Sequence, residues 1–183
     1  MRVVGIIQAR LGSTRLPKKM MMSLGQASVL EYVCKRALAI RNMSQVIVAT
    51  TTNASDDELV KWCLKNDIEV FRGSEDDLLQ RYLLCAQKYE ADYIVRITGD
   101  CPFISIDLAE NLIDAVIDTK CQYGYVHSSE IPIGLKVSVI ETKTLEYVDR
   151  VAVHPYYREH ITLYMDEHLG DFEVLSVVPF DYL

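Results

Sequence analysis

The 183 residues suffice for one domain with a substantial core but not for two full-sized domains. Half of the residues are hydrophobic and the formal net charge is −7, which argues against non-specific binding to nucleic acid, because that needs a basic surface. The sequence contains neither an apolar run long enough to span a bilayer nor a signal-peptide pattern, so we predict a cytoplasmic protein without a membrane partner.

The chain begins with an apolar segment, residues 3–7, which predicts a buried central strand. The loop that follows is rich in cations, hydroxyl groups and turn formers: Arg10, Gly12, Ser13, Thr14, Arg15, Pro17, Lys18 and Lys19. Because the first strand-to-helix loop of an open α/β sheet is the usual phosphate site, this loop predicts a nucleoside triphosphate site. A solvated surface loop would have a similar composition. Neither G-x-x-x-x-G-K-[ST] nor G-x-G-x-x-G occurs, which disfavours a P-loop kinase and a dinucleotide-binding dehydrogenase.

Strands and helices then alternate regularly. We predict strands at 45–50, 68–71 and 92–97 and helices at 29–40, 55–65, 76–89 and 107–118, with Ser55 or Asp56 as the cap of the second helix. This order predicts an α/β fold with a doubly wound, mostly parallel sheet. Right-handed crossovers would bring the loops after Ile7, Ala49, Phe71 and Ile97 to one cleft.

The pattern changes beyond Cys121. We predict strands at 123–127, 135–140 and 172–178, a short helix at 142–148 with Thr142 as its possible cap, and a longer helix at 155–168. No linker, repeat or low-complexity segment separates this part from the rest. A single domain over residues 1–183 is therefore expected.

Asp100 stands just past the fourth predicted strand, between Gly99 and Cys101-Pro102. Its neighbours are turn formers, so an ordinary turn aspartate is one interpretation. The other is a magnesium ligand, because this ion prefers carboxylate oxygen and completes its coordination with water and substrate phosphates. A carboxylate across a cleft from a cationic loop is suited to a triphosphate with its metal ion.

Two segments together, Arg10 to Lys19 and Arg96 to Pro102, resemble the sugar cytidylyltransferases, including the acylneuraminate and 3-deoxy-manno-octulosonate enzymes and above all the type found in spore-coat polysaccharide biosynthesis. The similarity continues through Val46 to Thr50, Phe71 to Tyr82 and Tyr157 to Thr162. It implies a nucleotide-diphosphosugar-transferase fold, usually dimeric. It also implies transfer of CMP from CTP to a sugar, in particular an acid sugar, with Mg²⁺ as cofactor and pyrophosphate as product, in polysaccharide or glycoconjugate biosynthesis.

The resemblance also implies roles for individual residues. The positions that match nucleotide contacts are Ala9, Arg10, Gly12, Ser13, Arg15, Lys19, Arg72 and Thr98. Lys19, rather than Lys18, aligns with the lysine that stabilises the transition state, and Arg15 and Asp100 complete the implied catalytic set. Asp100 also matches the metal-binding aspartate.

The sequence departs from the family pattern in two places. The sugar-side strand, expected as G-L-D-V-E-V, has Lys136 and Ser138 in place of the two acids. Family members also continue past residue 183 into a segment with a second metal-binding aspartate, so the domain is expected to lack that segment. Two alternatives therefore stay open: a non-catalytic nucleotide-binding module and a glycosyltransferase that consumes a nucleotide sugar. The absence of a clear D-x-D motif counts against the second.

Other candidates carry weaker signals. Lys136 or Arg158 could hold the carboxylate of an acid sugar, and we expect Arg158 and Glu159 to form local pairs on a helix where a catalytic role for His160 has little support. The apolar and aromatic residues between Tyr156 and Tyr164 predict either a dimer face or ordinary core packing. The five scattered cysteines predict free thiols, and Cys101 has no evident role as a nucleophile.

Overall fold

A computed structural model describes residues 1–12, 16–127 and 131–177. Its strands are β1 (Val3–Gln8), β2 (Ser23–Leu24), β3 (Ala27–Ser28), β4 (Gln45–Thr51), β5 (Glu69–Gly73), β6 (Tyr93–Thr98), β7 (Tyr123–Val126), β8 (Ser138–Glu141) and β9 (Val174–Val177). Its α-helices are α1 (Val29–Leu38), α2 (Asp57–Lys65), α3 (Leu78–Lys88), α4 (Ile106–Thr119), α5 (Thr142–Val151), α6 (Pro155–Glu159) and α7 (Leu163–Glu167). Short 3₁₀ turns lie at Lys19–Met21, Ala54–Asp56, Ile133–Leu135 and Leu169–Asp171.

The main sheet has the strand order β5-β4-β1-β6-β8-β7-β9, and β2 and β3 form a separate hairpin. β1 pairs in parallel with both β4 and β6, and β4 pairs in parallel with β5. β8 is antiparallel to its neighbours β6 and β7, whereas β7 and β9 are parallel. The predicted doubly wound, mostly parallel α/β sheet is confirmed, with β1 near its centre.

Helices cover both faces of this sheet. Residues of α1, α2 and α4 pack with Val3 and Ile7 on one face, and residues of α3 and α5 pack with Val4 and Ile6 on the other. The run of residues 3–7 is apolar throughout because β1 is buried on both faces, as is usual for a central parallel strand. The predicted first four helices and first four main-sheet strands are all present, with ends shifted by a few residues.

Side-chain caps fix the start of three helices. Ser28 accepts a hydrogen bond from the backbone N–H of Glu31 at 3.2 Å at the start of α1. Asp77 does the same for the N–H of Gln80 at 2.8 Å in α3. At α4, Ser105 accepts from the N–H of Leu108 at 3.3 Å. These caps set the angle at which each helix leaves the loop beside it.

Two cap predictions were wrong. Asp56 occupies the position before α2 but makes no capping hydrogen bond there. Thr142 is the first residue of α5, and its hydroxyl donates to the backbone oxygen of Ala91 at 2.6 Å, which fastens α5 to the segment before β6. In both cases the side chain bonds to a tertiary partner instead of the free N–H groups at the start of the helix.

The C-terminal part differs from its prediction at two points. The strand predicted from residue 135 begins at Ser138, because residues 133–135 form a 3₁₀ turn that is closed by the N–H of Lys136 on the oxygen of Ile133 at 3.1 Å. The helix predicted at 155–168 is two helices, α6 and α7, with His160 in a non-helical conformation between them. The break lets Ile161 enter the core, where it is 1% exposed.

All five cysteines are free thiols, as predicted, and three of them are buried. Among the helices of the described ranges, none combines the length and the apolar composition that a membrane crossing requires.

Candidate functional site

A cleft of about 470 Å³ opens at the carboxyl edge of the parallel strands. Its lining comes from the ends of β1, β5 and β6, from α3 and from the α6 region, and includes Ala9, Arg10, Lys19, Arg96 and Asp100. Three of the four loops predicted to converge, those after β1, β5 and β6, therefore line one cleft. The loop after β4 reaches its rim through Asn53, whose side-chain amide donates to Glu75.

The cationic loop directs its two lysines to different places. Lys18 adopts a left-handed conformation with φ of 56°, and its ammonium pairs with Glu58 of α2 at 2.5 Å. Lys19 pairs instead with Asp100, with 2.5 Å between Nζ and Oδ2. The backbone thus turns sharply at Lys18, so that Lys19 rather than Lys18 enters the cleft.

The Lys19–Asp100 pair joins the two segments that follow β1 and β6. Both side chains are partly exposed, at 31% and 43%, so solvent and ligands can reach the pair. Arg10 makes a second ion pair across the cleft, from Nη1 to Oε1 of Glu75 at 3.3 Å. This part of the cleft therefore contains cations that are held by carboxylates at its rim, and an incoming polyanion would compete with those carboxylates.

A buried carboxylate anchors the first turn of the cationic loop. Asp56 is 1% exposed and accepts hydrogen bonds from the N–H of Leu11 at 2.7 Å, the N–H of Thr51 at 3.2 Å and the hydroxyl of Thr50 at 3.1 Å. The hydroxyl of Thr51 donates to the same carboxylate. Because Leu11 follows β1 and the threonines end β4, Asp56 fixes the start of the loop relative to the neighbouring strand.

Gly99 allows the other side of the cleft to approach β1 closely. Its N–H donates to the oxygen of Gln8 at 2.9 Å, and a Cβ added at this position would lie 2.7 Å from that same oxygen and 3.1 Å from the sulfur of Met20. Only glycine fits this contact without a shift of the backbone. The close approach brings Asp100 next to the loop that carries Lys19.

Comparison with known proteins assigns the family. The cytidylyltransferase family model matches residues 4–182, which is nearly the whole chain. The chain belongs to the cytidylyltransferase family. Members of this family are nucleotidyltransferases that use CTP.

Individual relatives cover most of this cytidylyltransferase chain. An uncharacterised protein of Methanocaldococcus jannaschii is 38% identical over 183 residues, which are all of this chain and 74% of the relative. The spore coat polysaccharide biosynthesis protein SpsF of Bacillus subtilis is 34% identical over 171 residues, 91% of this chain and 70% of that protein. The structure of a cytidylyltransferase from Leptospira borgpetersenii superposes with a TM-score of 0.93 at 33% identity, covering 98% of this chain and 77% of the other.

The remaining predicted nucleotide contacts of this cytidylyltransferase lie at different places. Ala9 is buried beneath the cleft, and the hydroxyl of Thr98 donates to the sulfur of Cys101 at 2.9 Å. Gly12 lies near Glu75. The guanidinium of Arg72 is held by the backbone oxygens of Thr51 and Asn53, both at 2.8 Å, and by Asp57 at 2.7 Å. Ser13 and Arg15, like Thr14, lie outside the described residues.

Arg158 does not make the local pair predicted for it. Its guanidinium binds Asp77 at the start of α3 at 2.7 Å and Asp149 of α5 at 2.5 Å, and its side chain is only 14% exposed. Burial is the largest single influence on the pKa of Arg158 and lowers it. The hydrogen bonds and charges of Asp77 and Asp149 together outweigh burial, so the pKa is raised. Arg158 therefore ties α6 to α3 and α5 and is not available to hold a sugar carboxylate.

Sequence reasoning missed three charged residues of the site. Arg81 and Arg96 lie within the segments of resemblance but received no role, although both line the cleft. Burial is the main cause that lowers the pKa of Arg81, and the positive charge of Arg10 lowers it further. Asp56, predicted as a possible helix cap, instead anchors the cationic loop. An arginine inside an apolar strand such as β6 is the one signal that could have identified Arg96.

Proposed function

We propose that the chain transfers the cytidylyl group of CTP to a hydroxyl group of an acid sugar and releases pyrophosphate. The observation that carries this proposal is the contact between Lys19 and Asp100, because it brings together the cationic loop and the aspartate of the family's two characteristic segments. Family membership supports CTP as the donor. The resemblance to acylneuraminate and 3-deoxy-manno-octulosonate enzymes supports an acid sugar as the acceptor.

In the proposed reaction the sugar oxygen forms a bond with the α-phosphorus, the bond to the pyrophosphate oxygen breaks, and the hydroxyl proton is released. The protein's part is to place the two substrates in line and to stabilise negative charge on the phosphates. Lys19 and Arg10 line the cleft, and we propose that they and Arg15 stabilise this charge. Binding of the triphosphate would replace Asp100 and Glu75 as the partners of Lys19 and Arg10.

The chemistry of the donor set fits Mg²⁺. Asp100 is one partly exposed carboxylate, and the described residues contain no group of three or more side chains that could enclose a metal ion. Such a site suits an ion that keeps several waters and takes its other ligands from substrate phosphates. We propose that Asp100 holds Mg²⁺, which would neutralise charge on the phosphates when bound. Lys19, which pairs with Asp100 in its absence, would then turn to the phosphates.

Pyrophosphate release tests this function. Wild-type protein is incubated with CTP, Mg²⁺ and, in turn, 3-deoxy-manno-octulosonate and N-acetylneuraminate. The matched variants are Lys19→Ala and Lys18→Ala, since these neighbours carry the same charge but only Lys19 lies in the cleft. We expect Lys19→Ala to lower the rate by a factor of roughly 10²–10³, the cost of one lost transition-state contact, and Lys18→Ala to leave it nearly unchanged. Release that is undiminished in Lys19→Ala would contradict the proposal.

We also propose that the chain acts as a homodimer. Val153, between α5 and α6, and Tyr156, in α6, are 79% and 55% exposed, which supports an interface there. The other residues considered for this face are engaged elsewhere: Ile161 is buried, and Tyr157 and Tyr164 pack against the core. Light scattering during size-exclusion chromatography of wild type and Tyr156→Glu tests the proposal. A wild-type mass of one chain would contradict it.

A further inference from the structure

Arg96 is a cation in the cleft whose charge has no partner in the described residues. It extends from β6 and lines the cleft, and no described carboxylate or carbonyl accepts a hydrogen bond from its guanidinium. Its Nε atom is buried and has no hydrogen-bond partner. Guanidinium groups stay charged in proteins, and Arg96 is half-buried, so its charge is available to a ligand that enters the cleft.

No described carboxylate forms an ion pair with Arg96, although Asp100 and Glu159 line the same cleft. On one side it is level with Ile6 of β1, and on the other it faces Ser138 of β8. Ser138 forms a hydrogen bond with Tyr123, and the hydroxyl of Tyr123 in turn donates to Asp166 at 2.8 Å. The carboxylate of Asp166 thus has the hydroxyl of Tyr123 as its partner, while Arg96 itself lines the cleft.

The position of Arg96 separates it from the phosphate side of the cleft. Arg10 and Lys19 lie on the loop after β1, and Asp100 lies beyond the end of β6. Arg96 precedes Thr98 by two residues, toward the floor of the cleft, and it borders β8, which lies on the side of β6 away from the cationic loop. An anion bound there is a second anion, distinct from a triphosphate held by the loop.

We propose that Arg96 binds the carboxylate of the acceptor substrate and thereby selects acid sugars over neutral ones. The planar fork of a guanidinium matches a carboxylate with two parallel hydrogen bonds, which gives direction as well as attraction. Arg96 takes over the role that the sequence suggested for Lys136 or Arg158. This inference rests on the proposed function, since it names the group that recognises the acceptor of that reaction.

The test compares sugar acids with their uncharged esters. The probes are 3-deoxy-manno-octulosonate, N-acetylneuraminate and glucuronate, each beside its methyl ester. They are titrated calorimetrically into protein saturated with CTP in the absence of Mg²⁺, so that no turnover adds heat to that of binding. The variants are Arg96→Met, which removes the charge, and Arg96→Lys, which keeps the charge but loses the fork. Arg150→Met is the matched control, because Arg150 is an exposed arginine of α5 that does not line the cleft.

We expect wild-type protein to bind at least one acid more tightly than its ester, by on the order of 30-fold, the effect of a charge-assisted pair of hydrogen bonds. Arg96→Met should abolish this preference, Arg96→Lys should retain only part of it, and Arg150→Met should resemble wild type. CTP affinity should be the same in all four proteins. The thermal midpoint of Arg96→Met should equal or exceed that of wild type, since the residue it removes is unpaired.

Other outcomes would overturn the inference. A preference for the acid that survives in Arg96→Met, or the absence of any preference in wild type, would show that Arg96 does not bind the acceptor carboxylate. A fall in CTP affinity in Arg96→Met would assign Arg96 to the phosphates, and a marked loss of thermal stability would assign it a structural role. Failure of wild-type protein to bind CTP is a separate result, which would contradict the proposed function itself.

Discussion

Replacement of Asp56 by alanine tests the anchoring of the cationic loop. The carboxylate accepts from two backbone N–H groups and two threonine hydroxyls. The hydroxyls can rotate to other acceptors, but the N–H groups of Leu11 and Thr51 cannot. A buried donor left without a partner costs about 1–3 kcal/mol, so we expect Asp56→Ala to lower the free energy of unfolding by about 4 kcal/mol. That is a large share of the roughly 5–15 kcal/mol that stabilises a typical domain.

Urea denaturation followed by circular dichroism measures this change. Asp56→Asn should lose about half as much, because its amide oxygen can still accept from one of the N–H groups. Ser55→Ala, at the exposed neighbouring position, should stay within about 0.5 kcal/mol of wild type. Hydrogen exchange adds a local probe, since the amide of Leu11 should lose protection in Asp56→Ala before the strands do. A loss below about 1 kcal/mol for Asp56→Ala would refute the anchoring role.

Three further predictions concern stability. Gly99→Ala should destabilise the protein by about 2 kcal/mol in urea, because the added methyl group meets a backbone oxygen, while Gly170→Ala, with open space around its Cβ, should be nearly neutral. Hydrogen bonds from Arg41 lower the pKa of Glu110 to about 2. The stability that this pair contributes is therefore fully present above about 4.5, the pKa of an unperturbed glutamate, and is lost as the pH falls toward 2. The difference in thermal midpoint between wild type and Glu110→Gln should therefore be constant above about pH 5.5 and should shrink steadily as the pH falls from there to 2; a constant difference throughout would contradict this. Arg158→Met should lower the free energy of unfolding by about 2–3 kcal/mol, because it leaves two partly buried carboxylates unpaired, and it should not change CTP affinity. Loss of the preference for acid sugars at unchanged stability would instead indicate that Arg158 binds the sugar carboxylate.

Local patterns predicted most of the fold. The apolar, β-branched strands are determined by neighbouring residues, and the alternation of strands and helices then restricts the topology to a mostly parallel sheet. The convergence of Arg10, Lys19 and Asp100 followed from that topology. These residues come from loops at the same edge of the sheet, so their proximity needed no detailed knowledge of side-chain packing.

The parts that sequence reasoning missed depend on long-range partners. Asp56 has the features of a helix cap, but the donors of Leu11 and the β4 threonines lie nearer than the helix N-terminus. Arg158 pairs with residues 9 and 81 positions away, which no helical spacing indicates. The break at His160 follows from the burial of Ile161, and burial is decided by the helices around it. In each case tertiary contacts prevail over local preference.

Calorimetric titration of the wild-type chain with CTP, beside ATP, GTP and UTP and with and without Mg²⁺, tests the central claim most directly. We predict selective binding of CTP that strengthens with Mg²⁺ and loses this dependence in Asp100→Ala, because Asp100 is the carboxylate placed to hold the ion beside the cationic loop. Binding of no triphosphate, or equal binding of all four, would contradict the claim that this cleft is a CTP site.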